Sequence, residues 1–180
     1  MLVVAATQRE LEFLDGVETL CCGIGPVEAA AATARRLERR PPVAVLHIGV
    51  AGAKTIEPPA LVLGSEALYC DLIDGASLLP RVERVEPGAG LLAAARRALP
   101  GAHVLPIATS ARVGGGTACE VEAMEGFGVL RAAALAGVPA LELRAVSNAV
   151  DEADRARWRI DDALALLRDT VPRLLDALDA

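Results

Sequence analysis

Lysine is almost missing from this 180-residue chain: seventeen of the eighteen basic residues are arginine, and Lys54 stands alone. We read that skew as genome composition and draw no function from it. Aromatics are few as well, two Phe, one Tyr and one Trp, so the position of Trp158 carries unusual weight. The net charge of −6 argues against a nucleic-acid surface, which is normally basic. No apolar run reaches the length of a membrane span. Met1 leads directly into apolar residues, with no basic segment before them and no small-residue cleavage site after, so no signal peptide is expected. The cysteines Cys21, Cys22, Cys70 and Cys119 show no Cys-x-x-Cys spacing. Buried free thiols in a reducing cytoplasm are expected of them, and no metal site. His47 and His103 sit in or beside apolar runs and are read as structural.

What is present is a hydrophobic fraction of 53%, enough for a substantial core in one domain spanning residues 1–180. Leu2 to Ala6 reads as a strand, and Thr7 is placed to cap a helix running on to Glu12. Val17 to Cys22 reads as a second strand. After Gly23-Ile24-Gly25-Pro26 comes a helix with Val27, Ala30, Ala31, Ala34 and Leu37 on one stripe and arginines at its C-terminal end, stopped by Pro41-Pro42. Val43 to Ile48 is a strand expected to turn at Gly49-Val50-Ala51-Gly52. Leu61 to Asp71 is one strand or a pair, Gly88 to Leu99 a helix, His103 to Ala108 a strand, Glu125 to Gly137 a helix and Ala140 to Val146 a strand. A C-terminal helix is expected to kink or restart near Pro172. Strands alternate with helices and several are apolar on both faces. The fold class is therefore α/β, three-layer, with a mixed central sheet flanked by helices.

The chemistry-bearing residues gather at strand ends. Gly23-Ile24-Gly25 and Gly49-Val50-Ala51-Gly52 permit close backbone approach to a ligand. Neither is a Walker A loop, and neither completes the dinucleotide fingerprint. Glu10 and Glu125 each follow a strand at the start of a helix, at the carboxyl edge of the sheet, where an ionised carboxylate is favoured. The run Ala140 to Asn148 carries Glu142, Arg144, Ser147 and Asn148. Strict alternation puts Glu142, Arg144 and Asn148 on one face.

Gly23-Ile24-Gly25, Gly49-Val50-Ala51-Gly52, Met124-Glu125 and Arg144-Ala145-Val146-Ser147-Asn148 occur in the order found in the nucleoside phosphorylase/nucleosidase superfamily, which the chain resembles over nearly its whole length. Within it, Met124-Glu125-Gly126, Glu142-x-Arg144, Ser147-Asn148 and Arg157-Trp158-Arg159 resemble the futalosine hydrolases of menaquinone biosynthesis. The resemblance implies hydrolysis of an N-glycosidic bond that frees hypoxanthine, without a cofactor or metal. It implies catalytic roles for Glu10, which activates water, and Asn148, which faces the base. It implies that Glu125 holds the ribose hydroxyls, that Met124 packs on the ribose and that Trp158 lies beside the base. Ile24, Val50, Ala51, Gly52, Arg144 and Ser147 complete the implied substrate site. A homodimer or larger homo-oligomer in the cytoplasm is implied as well, and the weakly charged stretch Leu61 to Leu68 suits an interface.

Related methylthioadenosine/S-adenosylhomocysteine nucleosidases usually carry Asp where this chain has Asn148. An amide offers an N–H donor to N7 or O6 of a 6-oxopurine. Glu122-Ala123-Met124-Glu125 has one residue more than the Glu-Met-Glu of those nucleosidases, Val50 stands where they often carry Ser, and a hairpin before Val17 is absent. The rival readings are an adenine or aminodeoxyfutalosine nucleosidase, a purine nucleoside phosphorylase with Arg9 or Arg112 holding phosphate, and a nucleoside-binding protein without catalysis.

Overall fold

Leu2–Ala5 is apolar at every position and fully buried, which requires cover on both faces and a neighbour on both edges. In the computed structural model, which describes residues 1–72 and 80–179, this strand (β1) lies between two parallel partners, β2 (Glu18–Cys21) and β3 (Val45–Ala53). The other strands are β4 (Ala60–Tyr69), β5 (Arg84–Val85), β6 (His103–Thr109), β7 (Val121–Ala123) and β8 (Ala140–Ala149). The helices are α1 (Pro26–Arg39), α2 (Ala89–Ala98), α3 (Gly126–Leu135) and α4 (Ile160–Asp179).

The sheet is mixed and curls onto itself. β8 pairs parallel with β3 along one edge and antiparallel with β4 along the other. β4 pairs with β6, β6 with β7, and the short β7 returns to Gly52 and Ala53 of β3. On that same edge of β3, β1 pairs only as far as His47. Residues 48–51 of β3 therefore face a split between β1 and β7, where no strand covers their backbone. One core packs the sheet against α2 and α4, a second packs its other face against α1 and α3, and a third fills the curled end. This is the expected three-layer α/β arrangement.

Several local expectations change. Residues after β1 form a single 3₁₀ turn, Gln8–Glu10, because the Glu10 carboxylate reaches back to Thr7 and closes the turn early. Gly49 to Gly52 stays in β3, held by β8, instead of turning. Ala60–Tyr69 is one strand, flanked by β8 and β6 with Val62, Leu63 and Ala67 buried, so Leu61 to Leu68 is not a free surface for an interface. Helix α4 continues through Pro172, whose position is exposed, so the helix carbonyl it leaves unbonded can be solvated. Cys22 is buried, but Cys70 and Cys119 are partly exposed and Cys21 is exposed; all four are free.

Candidate active site

The split beside β3 leaves the N–H and C=O of Val50 without a strand partner, and charged side chains take them up. Glu10 accepts from the Val50 N–H through Oε1 at 3.1 Å. Its Oε2 accepts from the Thr7 N–H at 2.9 Å and the Thr7 hydroxyl at 2.8 Å. The Arg144 guanidinium, from β8, donates through Nη1 to the Val50 carbonyl at 3.4 Å. A Cβ on Gly49 would run into that Nη1 and lie 2.8 Å from Glu10 Oε1, so a side chain there would displace both charged groups.

Glu125 lies two residues beyond the end of β7 and is the N-cap of α3. Since β7 runs antiparallel to β3, Glu125 and Glu10 reach the split from opposite strand directions rather than from one shared carboxyl edge. Glu125 Oε1 accepts from the Gly25 N–H at 3.1 Å; Gly25, at φ 93°, is the N-cap of α1. Its Oε2 lies 3.4 Å from Arg144 Nη2.

Arg144 is 1% exposed. Its Nε donates to Glu142 Oε1 at 2.8 Å, and Nη2 lies 2.6 Å from Nε2 of His47. The His47 Nδ1 lies 3.0 Å from the Val4 carbonyl, which can only accept, so the ring proton sits on Nδ1 and Nε2 accepts from Arg144. Burial, and then the adjacent guanidinium, hold His47 well below its ordinary pKa, so it is neutral. Burial pushes Glu142 up, and Arg144 opposes this only in part. Burial also works against the charge on Arg144, but Glu142 and Glu125 outweigh it and hold the guanidinium above its ordinary value. Cys22, buried beside this cluster, is pushed up to about 12 by burial and then by Glu125, so it is a neutral thiol.

At the end of β8 the register against β3 slips: Val146 faces Ala51, and Asn148 faces Gly52, leaving Ser147 as an extra residue. The bulge breaks the alternation that would have kept Asn148 on the face of Glu142 and Arg144. The Ser147 hydroxyl has one proton and two acceptors in reach, Asn148 Oδ1 at 2.7 Å and the Ala51 carbonyl at 3.3 Å. The shorter contact engages the Asn148 carbonyl. Asn148 Nδ2 gives one hydrogen to the Ala149 carbonyl at 2.9 Å. Among the described residues, the other amide hydrogen has no acceptor.

These groups open onto one cavity of about 190 Å³. Its wall includes Glu10, Ile24, Val50, Ala51, Gly52, Met124, Glu125, Arg144, Ser147, Asn148 and Trp158, so every residue singled out from the sequence as catalytic or substrate-binding lies on it. Ile24 is exposed at the rim, and the Trp158 indole N–H is tied to the Glu152 carbonyl at 3.0 Å. Arg9 is not part of the wall; it pairs with Asp161 of α4. Of the loop that contributes Arg112, Val113 and Gly114 to the wall, the sequence pointed only to Arg112, and only as a phosphate-holding residue in the phosphorylase reading. Glu122 shapes it by accepting from the N–H groups of Gly115, Gly116 and Thr117 at 3.2, 3.3 and 3.1 Å and from the Thr117 hydroxyl at 2.7 Å. The three glycines at 114–116 were the available signal for a loop whose backbone donors need an acceptor. The part of His47 in the charge cluster was missed as well, since only tertiary contact reveals it. Among the described residues, no group of three or more His, Cys, Asp or Glu side chains could hold a metal ion, and no helix is long and apolar enough to cross a membrane.

Residues 16–179 match the phosphorylase superfamily. The chain is 39% identical, over 193 aligned residues, to futalosine hydrolase of Streptomyces coelicolor, an alignment spanning 92% of this chain and 81% of that protein. A mutant futalosine hydrolase of Helicobacter pylori strain 26695 superposes with a TM-score of 0.87 over 97% of both chains, at 17% identity. A 5′-methylthioadenosine/S-adenosylhomocysteine nucleosidase of Colwellia psychrerythraea 34H, solved in complex with adenine, superposes with a TM-score of 0.85 over 98% of this chain and 94% of that one, at 20% identity. At these identities the two structures speak for the fold.

Proposed function

The chain belongs to the phosphorylase superfamily and, within it, to the futalosine hydrolase family, and from that premise we propose that it cleaves the N-glycosidic bond of futalosine with water, releasing hypoxanthine in menaquinone biosynthesis. Bond cleavage leaves positive charge on the sugar and negative charge on the departing base. Glu10 is the general base that takes a proton from the attacking water. Glu125 holds the ribose hydroxyls and places negative charge beside the oxocarbenium-like sugar. Met124 packs on the ribose and Trp158 beside the base. Asn148 stabilises the leaving purine by hydrogen bonding, since an amide has no proton to give up.

The observation that carries this reading is the pinned amide of Asn148. With its carbonyl engaged by Ser147, the group offers a donor to the cavity. A donor suits N7 and O6 of hypoxanthine, whereas the 6-amino group of adenine is itself a donor. The test is hypoxanthine release from futalosine in phosphate-free buffer: steady turnover is expected, and bound substrate that is never cleaved would leave only a nucleoside-binding protein.

One observation favours phosphorolysis as a second reading: Arg112 lies on the cavity wall and could face phosphate. Against it, Arg9 is paired with Asp161, and Val50 supplies no hydroxyl. Self-association as a dimer or larger assembly is part of the proposal. It is supported by exposed Val27 and Leu135, which flank a groove between α1 and α3. Four free cysteines suit a cytoplasmic setting.

A further inference from the structure

We propose that His47 and Glu142 are positioning residues: together they hold the Arg144 guanidinium back from Glu125, so that the carboxylate keeps its negative charge for the sugar. The inference rests on the assignment of Glu125 to the ribose. A free arginine beside a carboxylate closes to about 2.7–2.9 Å, often with two parallel bonds. Here the pair is buried, where attraction is strongest, yet it stands at 3.4 Å through a single Nη2.

The cause lies in the other partners of the guanidinium. Nη2 sits 2.6 Å from His47 Nε2, Nε sits 2.8 Å from Glu142 Oε1, and Nη1 lies 3.4 Å from the Val50 carbonyl. A planar guanidinium anchored at short distance through both Nη2 and Nε cannot swing toward Glu125. The His47 ring is itself fixed by its Nδ1–H bond to Val4, and that same bond makes Nε2 an acceptor. Glu142 Oε2 is buried and has no hydrogen-bond partner. Burial of that oxygen works against the charge on Glu142, while the Arg144 guanidinium favours it. Glu125 keeps one close donor, the Gly25 N–H. Val50 completes the link: its carbonyl receives Arg144 while its N–H goes to Glu10. One guanidinium therefore sets the surroundings of both carboxylates.

The test compares His47→Leu and Glu142→Leu with His47→Gln and Glu142→Gln on the nucleoside that the wild-type enzyme cleaves, with thermal melts to normalise to folded protein. The leucine variants release Arg144 toward Glu125, and kcat is expected to fall about 10- to 100-fold while KM stays within about threefold. The glutamines return a carbonyl acceptor to the same place and recover most of the rate. If the leucine variants do not fold, His47→Asn serves: it keeps a polar group near Val4 but is too short to reach Arg144, and it should lose rate where His47→Gln does not. Equal kcat for His47→Asn and His47→Gln, or a leucine variant with wild-type kcat, would overturn the inference. Wild-type protein that cleaves no nucleoside overturns the functional reading instead, so the two failures are distinguishable.

Discussion

Asn148 and an aspartate in its place would fill the same volume and differ in what they offer a base: the amide presents a donor, the carboxylate only acceptors. The Ser147 hydroxyl engages the carbonyl end of the amide, and Ser147 and Asn148 both lie on the cavity wall at the bulge. Asn148→Asp is therefore expected to move preference toward 6-aminopurine nucleosides. The ratio of kcat/KM for paired adenine and hypoxanthine nucleosides should rise by about tenfold or more, the worth of one hydrogen bond made rather than missed. An unchanged ratio would remove Asn148 as the residue that reads the base.

At the scale of elements, the site depends on a loop and a split. The loop at 111–117 is tied to β7 by Glu122, whose carboxylate takes four donors from Gly115, Gly116 and Thr117. Glu122→Ala leaves those donors without their acceptor and frees Arg112, Val113 and Gly114 on the wall. KM for the nucleoside is expected to rise about threefold to tenfold with kcat less affected, as suits a local loosening; an unmoved KM would mean that the loop does not bear on substrate. Helix α1 was legible from the Val27 to Leu37 stripe, and β8 from its run of alternating strand-forming residues. The return of β7 to the end of β3 was not, because a three-residue strand leaves almost no periodic trace and its partner lies far away in sequence. The candidate site was legible for the same reason that the strands were: Glu10, Glu125 and Asn148 are polar residues at the ends of apolar runs. His47 looks from the sequence like any residue of a buried strand, and its use appears only when β8 brings Arg144 beside it.

For the whole molecule, the buried charge cluster links stability to pH. His47 is held below its ordinary value of 6.5 by burial and by Arg144, so the unfolded chain takes up a proton below that pH while the folded chain does not. Its contribution is present above about 6.5 and is lost as pH falls toward the folded value, by at most about 1.4 kcal/mol per pH unit. Glu142, held up by burial, works in the other direction: above its ordinary 4.5 the unfolded chain has released a proton that the folded chain keeps. The two slopes are of opposite sign, that of His47 acting below 6.5 and that of Glu142 above 4.5. The wild type is therefore best compared with His47→Gln, which lacks one of them. In urea unfolding, the stability of the wild type relative to His47→Gln should decline as pH falls below about 6.5; parallel curves would contradict a neutral buried imidazole. The proposed activity is the delivery of water to the glycosidic bond of a hypoxanthine nucleoside. The most direct measurement is initial-rate release of free base from futalosine, inosine, methylthioadenosine and aminodeoxyfutalosine across a phosphate titration. Hypoxanthine is expected from futalosine at the highest kcat/KM, at a rate independent of phosphate. Release that requires phosphate, or adenine nucleosides cleaved in preference to futalosine, would contradict that activity.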